Sequence, residues 1–484
     1  MQQRKNIKSF SEITNYCKNS SILLNTFSHL LNEMNLSYIH SLFNKTKSQG
    51  IEGEHIFKTF FVLRFLDFNN IHQLMQSGVS KELAHKKDVL YDFLNNAKID
   101  WRRIMWLFAK QIFNIIQTKT IDENDKNLPK CLIVDDSILP KSGKKMEFIG
   151  KVFDHGKHTY TLGMKLLTLG YSDCKSFIPL NFSLHNEAGK SGNRGMKPKE
   201  HKNQFKKDRD KNTPGYQRSL EVPKDKISVA LKMIKSAIKK LDKVDYVLAD
   251  SWFICEKFIA EIKNFNKQVN VIGLMKINRM VTIKDRNYKA SDIPDIKRKN
   301  IKYSNKLKCH YITLKINYKS IGMRAYWIKI KGQNNWCLLV STNEKLTFIK
   351  AMEYYQIRWS IEVFFKDCKQ NLKLGDCQSK DFDAHIASIS IVFMNYMILA
   401  LKKRFEDYET LGILFRNFKD MMLQRTLIQR IWTIIIELFD SVLIQFGVNW
   451  EEFMQSLIQN QDQIMEQFYK TFENLFSLNS QKVT

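Results

Sequence analysis

The chain has 484 residues, a mass of 57.2 kDa and 44% hydrophobic residues, enough for two to four domains with sizeable cores. Its formal charge of +28 and pI near 9.6 call for a polyanionic partner, with nucleic acid first. An anionic membrane is the rival polyanion. The sequence offers it little: the most apolar run, 431–439, carries Glu437 and falls far short of the roughly 20 residues of a span, and 1–10 is charged without an export core. The eight cysteines are scattered with no C-x-x-C pair, so neither a disulfide framework nor a zinc ribbon is expected. Cys309 beside His310 reads as a coincidence of composition, and a reducing cytoplasm is the expected compartment.

From about 20 to 118, apolar residues recur three and four apart, in 56–66 and again in 104–116, which predicts a separate helical domain over 1–125. Inside it, 86–96 followed by Trp101, Arg102 and Arg103 mixes basic and aromatic side chains. That mixture is either a segment that grips phosphates or a solvated helix face. At Cys131 the pattern changes to strands: 131–134 runs into Asp135 and Asp136, and 159–171 and 176–184 follow as an antiparallel meander. Asp154 and His155 read as turn residues. From 188 to 222, Gly, Pro, Asn and many cations, among them Lys206, Lys207, Arg209 and Lys211, predict an exposed loop, either solvated or ordered along DNA phosphates.

Helices are expected at 225–241 and 253–265, and buried strands at 246–249, ending in Asp250, and at 269–275. Strand-like runs at 309–316, 323–330 and 336–340 make 279–345 a β-rich insertion, and helices resume after 381, from 385–401 on toward 475.

The segment between them, 346–378, reads as one helix carrying Tyr355, Arg358, Glu362 and Lys369. At about 100° per residue Tyr355, Arg358 and Lys369 lie within roughly 40° of Glu362, apart from the apolar Ile357, Ile361 and Phe364. A carboxylate flanked by two cations and a phenol suits phosphodiester chemistry: the acid holds a metal, the cations and hydroxyl hold phosphates. Arg and Glu four apart also form ordinary surface ion pairs. The Tyr and Lys in register, with further acids at two strand ends, set this group apart.

Asp136 in Val-Asp-Asp-Ser, Asp250 in Leu-Ala-Asp-Ser-Trp-Phe and the Tyr355, Arg358, Glu362, Lys369 set resemble the DDE transposases of bacterial insertion sequences, in the group with a Y-R-E-K signature and a β-insertion before the Glu. The resemblance covers 125–375. It implies an α/β RNase H-like catalytic domain with a β-rich insertion, flanked by all-α regions. Residues 126–278 would be the first part of the core, 279–345 the insertion and 346–378 the core helix. Residues 1–125 would bind transposon ends, and 379–484 would support dimerisation. In such a sheet the strands ending in the two Asp residues are parallel neighbours, so Asp136, Asp250 and Glu362 converge as catalytic and metal-binding acids. All-oxygen ligands favour Mg²⁺ or Mn²⁺.

Tyr355, Arg358 and Lys369 would then contact DNA phosphates. Asp135 and Asp136 alternate faces; Asp136 is preferred because it shares a face with Val134, and Asp135 stays as the alternative first acid. Trp336 takes the place of a tryptophan that in relatives stacks on a flipped base, against the readings of a core tryptophan there and of Trp327 as a competing stacker. Some members follow the second Asp with Arg. Here Ser251 follows it, so a phosphate contact at that point has to come from elsewhere.

The expected activity is cut-and-paste transposition: metal-dependent cleavage at terminal inverted repeats, then strand transfer to a target duplex. A homodimer would hold the two double-stranded ends, in the bacterial cytoplasm at the nucleoid and with no membrane. The alternatives are a nuclease of the same fold that cuts without joining, and a domesticated, non-catalytic DNA-binding protein.

Overall fold

Cys131, Leu132, Ile133 and Val134 are all fully buried, a continuous apolar run of the kind that makes the central strand of a sheet covered on both faces. A computed structural model of the chain describes residues 34–46, 49–65, 70–76, 86–120, 127–333, 335–406 and 409–417, with 68, 122, 419 and 467 besides. The charged stretch 1–10, the apolar run 431–439 and the helices expected toward 475 lie outside the described residues. The chain forms two compact units: Met1–Asn35, Gln49–Leu90 and Ile413–Thr484 make one, and Leu36–Ser48 with Tyr91–Gly412 the other. In the first, helix Gly53–Leu63 buries Ile56, Phe57, Phe60 and Phe61, and Phe65 packs on Phe415 with ring centroids 5.3 Å apart.

The second unit is mixed α/β. Its strands are β1 (Cys131–Pro140), β2 (Gly150–Asp154), β3 (Thr159–Ser172), β4 (Phe177–His185), β5 (Tyr246–Ala249), β6 (Asn270–Met275), β7 (Met280–Ile283), β8 (Arg286–Lys289), β9 (Lys302–Ser304), β10 (Cys309–Tyr318), β11 (Ile321–Ile330) and β12 (Cys337–Ser341). Among the described residues all twelve join one sheet in the order β2-β3-β1-β5-β6-β12-β11-β10-β7-β8, with β4 also on β3 and β9 on β10. β1 runs parallel to β5 and antiparallel to β3. The β-rich insertion therefore does not form a separate layer: β12 pairs antiparallel with β6 and carries the core sheet onward. Trp327, on β11, is fully buried and its indole N–H donates to the Ala290 carbonyl at 2.7 Å, so it is a core residue rather than a base stacker.

Six longer helices frame the sheet: α1 (Trp101–Lys119), α2 (Lys226–Lys240), α3 (Glu256–Phe265), α4 (Phe348–Gln356), α5 (Trp359–Gln370) and α6 (Phe382–Phe405). Asp100 caps α1 by accepting from the Arg103 N–H, and the helix buries Ile104, Met105, Phe108 and Ile112 against β4 and α6. α1 thus belongs to the unit of the sheet, and the division between units falls ahead of it, at Leu90/Tyr91, not near 125. α6 is long and apolar enough to cross a membrane by length and composition. From Phe382 to Leu401 every residue is buried inside the unit, which accounts for its apolar character all round.

Two readings of basic segments are corrected. In the 86–103 mixture, Trp101 is 3% exposed and Arg102 forks onto Glu221 at 3.0 and 2.7 Å and onto Asn181 at 3.0 Å. Neither is offered to a nucleic acid. In 188–222, the loop is folded down by internal ion pairs. Arg209, 2% exposed, binds Glu147 at 2.8 and 2.5 Å and Asp383 at 3.0 Å, while Lys207 reaches Asp381 and Asp383 at 2.8 Å each. Charge alone cannot distinguish a solvated cation from one with a buried carboxylate far away in sequence. Lys206 and Lys211 remain exposed.

Candidate active site

The strand bearing the first acids runs on past them. β1 continues to Pro140 along β3, so Asp135 and Asp136 lie in mid-strand, whereas its parallel pairing with β5 stops at Val134↔Ala249. The next level on each strand is Asp135 beside Asp250. Neighbouring parallel strands in register present the same face at the same level, so this register aligns Asp135, not Asp136, with Asp250.

The helical segment opposite makes the same choice. The expected single helix is two, α4 and α5, joined by a tight turn in which Ile357 and Arg358 donate to carbonyls three residues back, Tyr354 at 3.2 Å and Tyr355 at 3.0 Å. Arg358 stands at this junction, its side chain 14% exposed. One guanidinium nitrogen, Nη1, donates to Asp135 Oδ2 at 3.0 Å, and the other, Nη2, to Glu362 Oε1 at 2.5 Å. Asp135 lies on the side of Arg358 and Glu362, while Asp136, preferred from alternation because it shares a face with Val134, forms an ion pair with Lys226 at the start of α2. Strand periodicity says that the two acids diverge but not which face receives α5; the β1/β5 register decides it.

Burial pushes the Asp135 carboxyl up to about 7, reinforced by the charge of Asp250 and opposed by Arg358. Asp250 is also raised, by burial and then by the charge of Asp136, against the Trp252 N–H that donates to its Oδ1 at 3.0 Å. Burial alone would lower Arg358, but Tyr355, Asp135 and Glu362 together hold it above its ordinary value. The Tyr355 ring lies 5.6 Å from the guanidinium, and burial pushes its phenol up to about 12. An open cavity of about 410 Å³ lined by Tyr355, Gln356, Arg358 and Trp359 adjoins this cation.

The structure thus brings together Asp135, Asp250, Tyr355, Arg358 and Glu362. Lys369 turns elsewhere, donating to Ser137 Oγ at 2.7 Å and to the Ile138 carbonyl at 3.1 Å on the continuation of β1. Trp336 is half-buried just ahead of β12, two strands beyond β5. Asp154 is a turn residue whose Oδ1 accepts from the Gly156 N–H at 2.9 Å. Three side chains that the sequence left unmarked flank the acids: Lys226, Trp252, 39% exposed, and Trp359, 61% exposed. The two tryptophans each stand within two residues of a site residue, a signal present in Asp-Ser-Trp and Arg-Trp; Lys226 has none, because only the fold brings α2 to β1.

Among the described residues no three Asp, Glu, His or Cys side chains converge as a metal-binding group; the Arg358 guanidinium lies between Asp135 and Glu362. Their donor chemistry nonetheless fits a hard divalent ion: carboxylate oxygens only, two of them raised by crowding and burial that a cation relieves.

Half-buried acids on neighbouring strands of an α/β sheet, faced by a cationic helix, suit the processing of phosphodiesters. Residues 226–398 match the family model of the transposase DDE domain, and residues 76–299 that of the DDE superfamily endonuclease. Both matches support a DDE transposase. No curated protein matches the sequence. Among solved structures, the piggyBac transposase of a synaptic complex with hairpin DNA, determined by cryo-EM, is similar with a TM-score of 0.43 and 12% identity, over 85% of this chain and 83% of that one.

Proposed function

We propose that this transposase is of the insertion-sequence type: it cuts double-stranded DNA at terminal inverted repeats and joins the freed end to a target duplex, through an RNase H-like core formed by β1, β3, β4, β5 and β6 with their helices. The observation that carries the reading is the level alignment of Asp135 with Asp250, closed by the Arg358 bridge from Asp135 to Glu362. Asp135, Asp250 and Glu362 are the catalytic acids in this reading, and Asp136, the acid preferred on sequence grounds, is the counter-ion of Lys226.

Divalent Mg²⁺ or Mn²⁺, held by the three acids, would activate the attacking hydroxyl and stabilise the leaving oxygen. The chain's own groups do the rest. Arg358, engaged with two carboxylates, is a two-pronged donor matched to phosphate, and an incoming phosphate exchanges it from the acids to the DNA. Tyr355, beside it, holds a proton through the physiological range and donates to a phosphate oxygen. Lys369 holds α5 to β1 and adds a cation along the strand's continuation. Trp336 is retained as the stacking residue of the insertion. The remaining charge of the chain steers the duplex, and two ends require two copies, so a homodimer is the working form on nucleoid DNA.

The test is incubation of purified protein with a duplex carrying its flanking repeat, in Mg²⁺, Mn²⁺ or chelator, resolved on a denaturing gel with and without a target duplex. Metal-dependent nicking at the repeat end with joined product is expected. Nicking that never joins leaves a nuclease of the same fold, and binding without cutting in every metal leaves a silenced DNA-binding protein.

A further inference from the structure

Beyond Arg358, a second cation is built into the site from the opposite side of the sheet. Asp225 caps α2, its carboxylate accepting from the Ile227 N–H at 3.2 Å and the Ser228 N–H at 2.9 Å, and this fixes Lys226 as the first residue of the helix. The Lys226 ammonium pairs with Asp136 and lies 4.1 Å from the centroid of the Trp252 ring. Asp135 and Asp136 are adjacent on one strand and point to opposite faces. Arg358 therefore approaches the acids from one face of the sheet and Lys226 from the other.

Trp252 is two residues past Asp250 and 39% exposed, although indole is the side chain with most to gain from burial. Lys226 covers one face of the ring and Phe253 meets it edge-on at 4.9 Å, so the indole is held in position with surface left open beside the acids. Ser251, next to the second acid, is uncharged. We propose that Lys226 and Trp252 form a clamp for the nucleotide next to the scissile phosphate, Lys226 taking its phosphate and Trp252 stacking on its base. A cation and an aromatic face side by side are the two elements that single-stranded DNA is held by. An ion pair with Asp136 alone explains the position of the ammonium but not the exposed indole under it. The inference rests on the reading of the site as one that cuts DNA.

The test uses the full chain and a repeat-end duplex, with binding measured in chelator so that it is independent of cutting. Lys226→Gln is expected to lower the slope of log affinity against log salt by about 0.9, one phosphate, and Lys226→Arg to restore it. If Lys226 served only to neutralise Asp136, the double variant Lys226→Gln, Asp136→Asn would recover the wild-type slope; the clamp predicts that it stays low. Trp252→Leu is expected to weaken, by roughly fivefold or more, binding to an end whose flanking nucleotide is unpaired, and to leave unchanged an end abasic at that nucleotide. An unchanged slope in Lys226→Gln, or equal loss on the abasic end in Trp252→Leu, overturns the clamp. Failure of the wild type to cut in any metal sinks the catalytic reading instead, and the slope in chelator still decides Lys226.

Discussion

Asp135 and Arg358 meet at 3.0 Å across 223 residues of sequence, and the guanidinium that joins them reaches Glu362 with its other nitrogen. This contact ties the central strand to the helical signature. It also sets a guanidinium between two carboxylates, where it would compete with any cation that the acids held.

Asp135→Asn and Asp250→Ala should each reduce metal-dependent cutting by about a thousandfold, roughly 4 kcal/mol of barrier, while end binding changes little. Asp136→Asn should retain most of the activity, since its carboxylate faces Lys226. Rates on a labelled repeat end decide it: if Asp136→Asn is the dead variant and Asp135→Asn is active, the assignment of the first acid is reversed.

A carboxyl raised to about 7 in the folded chain and near 4 when unfolded binds its proton more tightly in the folded state. Stability therefore falls as pH rises between about 4 and about 7, with an upper limit of about 4 kcal/mol. In chelator, Asp135→Asn should be more stable than the wild type, and the Tm difference should widen from pH 5 to pH 8. A gap that stays constant with pH removes Asp135 as its cause.

Lys369→Ala should lower the salt slope of end binding by about 0.9. Its bonds to Ser137 and Ile138 have to loosen for the ammonium to face a phosphate. A slope equal to that of the wild type would make Lys369 only a strap between α5 and β1.

Arg209→Met leaves Glu147, Asp381 and Asp383 buried with Lys207 as the remaining cation of the cluster. The expected loss is about 3 to 5 kcal/mol, read as a lower urea midpoint. A loss under about 1 kcal/mol would show that the 188–222 segment is not held by these pairs.

Trp327→Ala should destabilise the fold by about 3 to 5 kcal/mol, since it empties a fully buried site and orphans the Ala290 carbonyl. Trp336→Ala, half-buried ahead of β12, should change stability by well under 1 kcal/mol yet slow processing of the repeat end. Denaturant unfolding and end cleavage on the same two proteins separate the roles, and intact cleavage in Trp336→Ala would withdraw it from the DNA.

Several elements are legible from short-range patterning alone. The buried run 131–134 and the strand ending at Ala249 each follow from short-range periodicity, which the backbone geometry of a strand imposes whatever the rest of the chain does. Which of two adjacent acids faces the helix is set by packing, because alternation fixes that Asp135 and Asp136 diverge while the β1/β5 register, a contact between residues over a hundred apart in sequence, fixes the direction. Packing likewise decided that Lys207, Arg209 and Arg102 are internal counter-ions and that Lys226 belongs to the site. A charge carries no record of its partner in the sequence; the pairing arises where the fold brings a carboxylate out of water beside it.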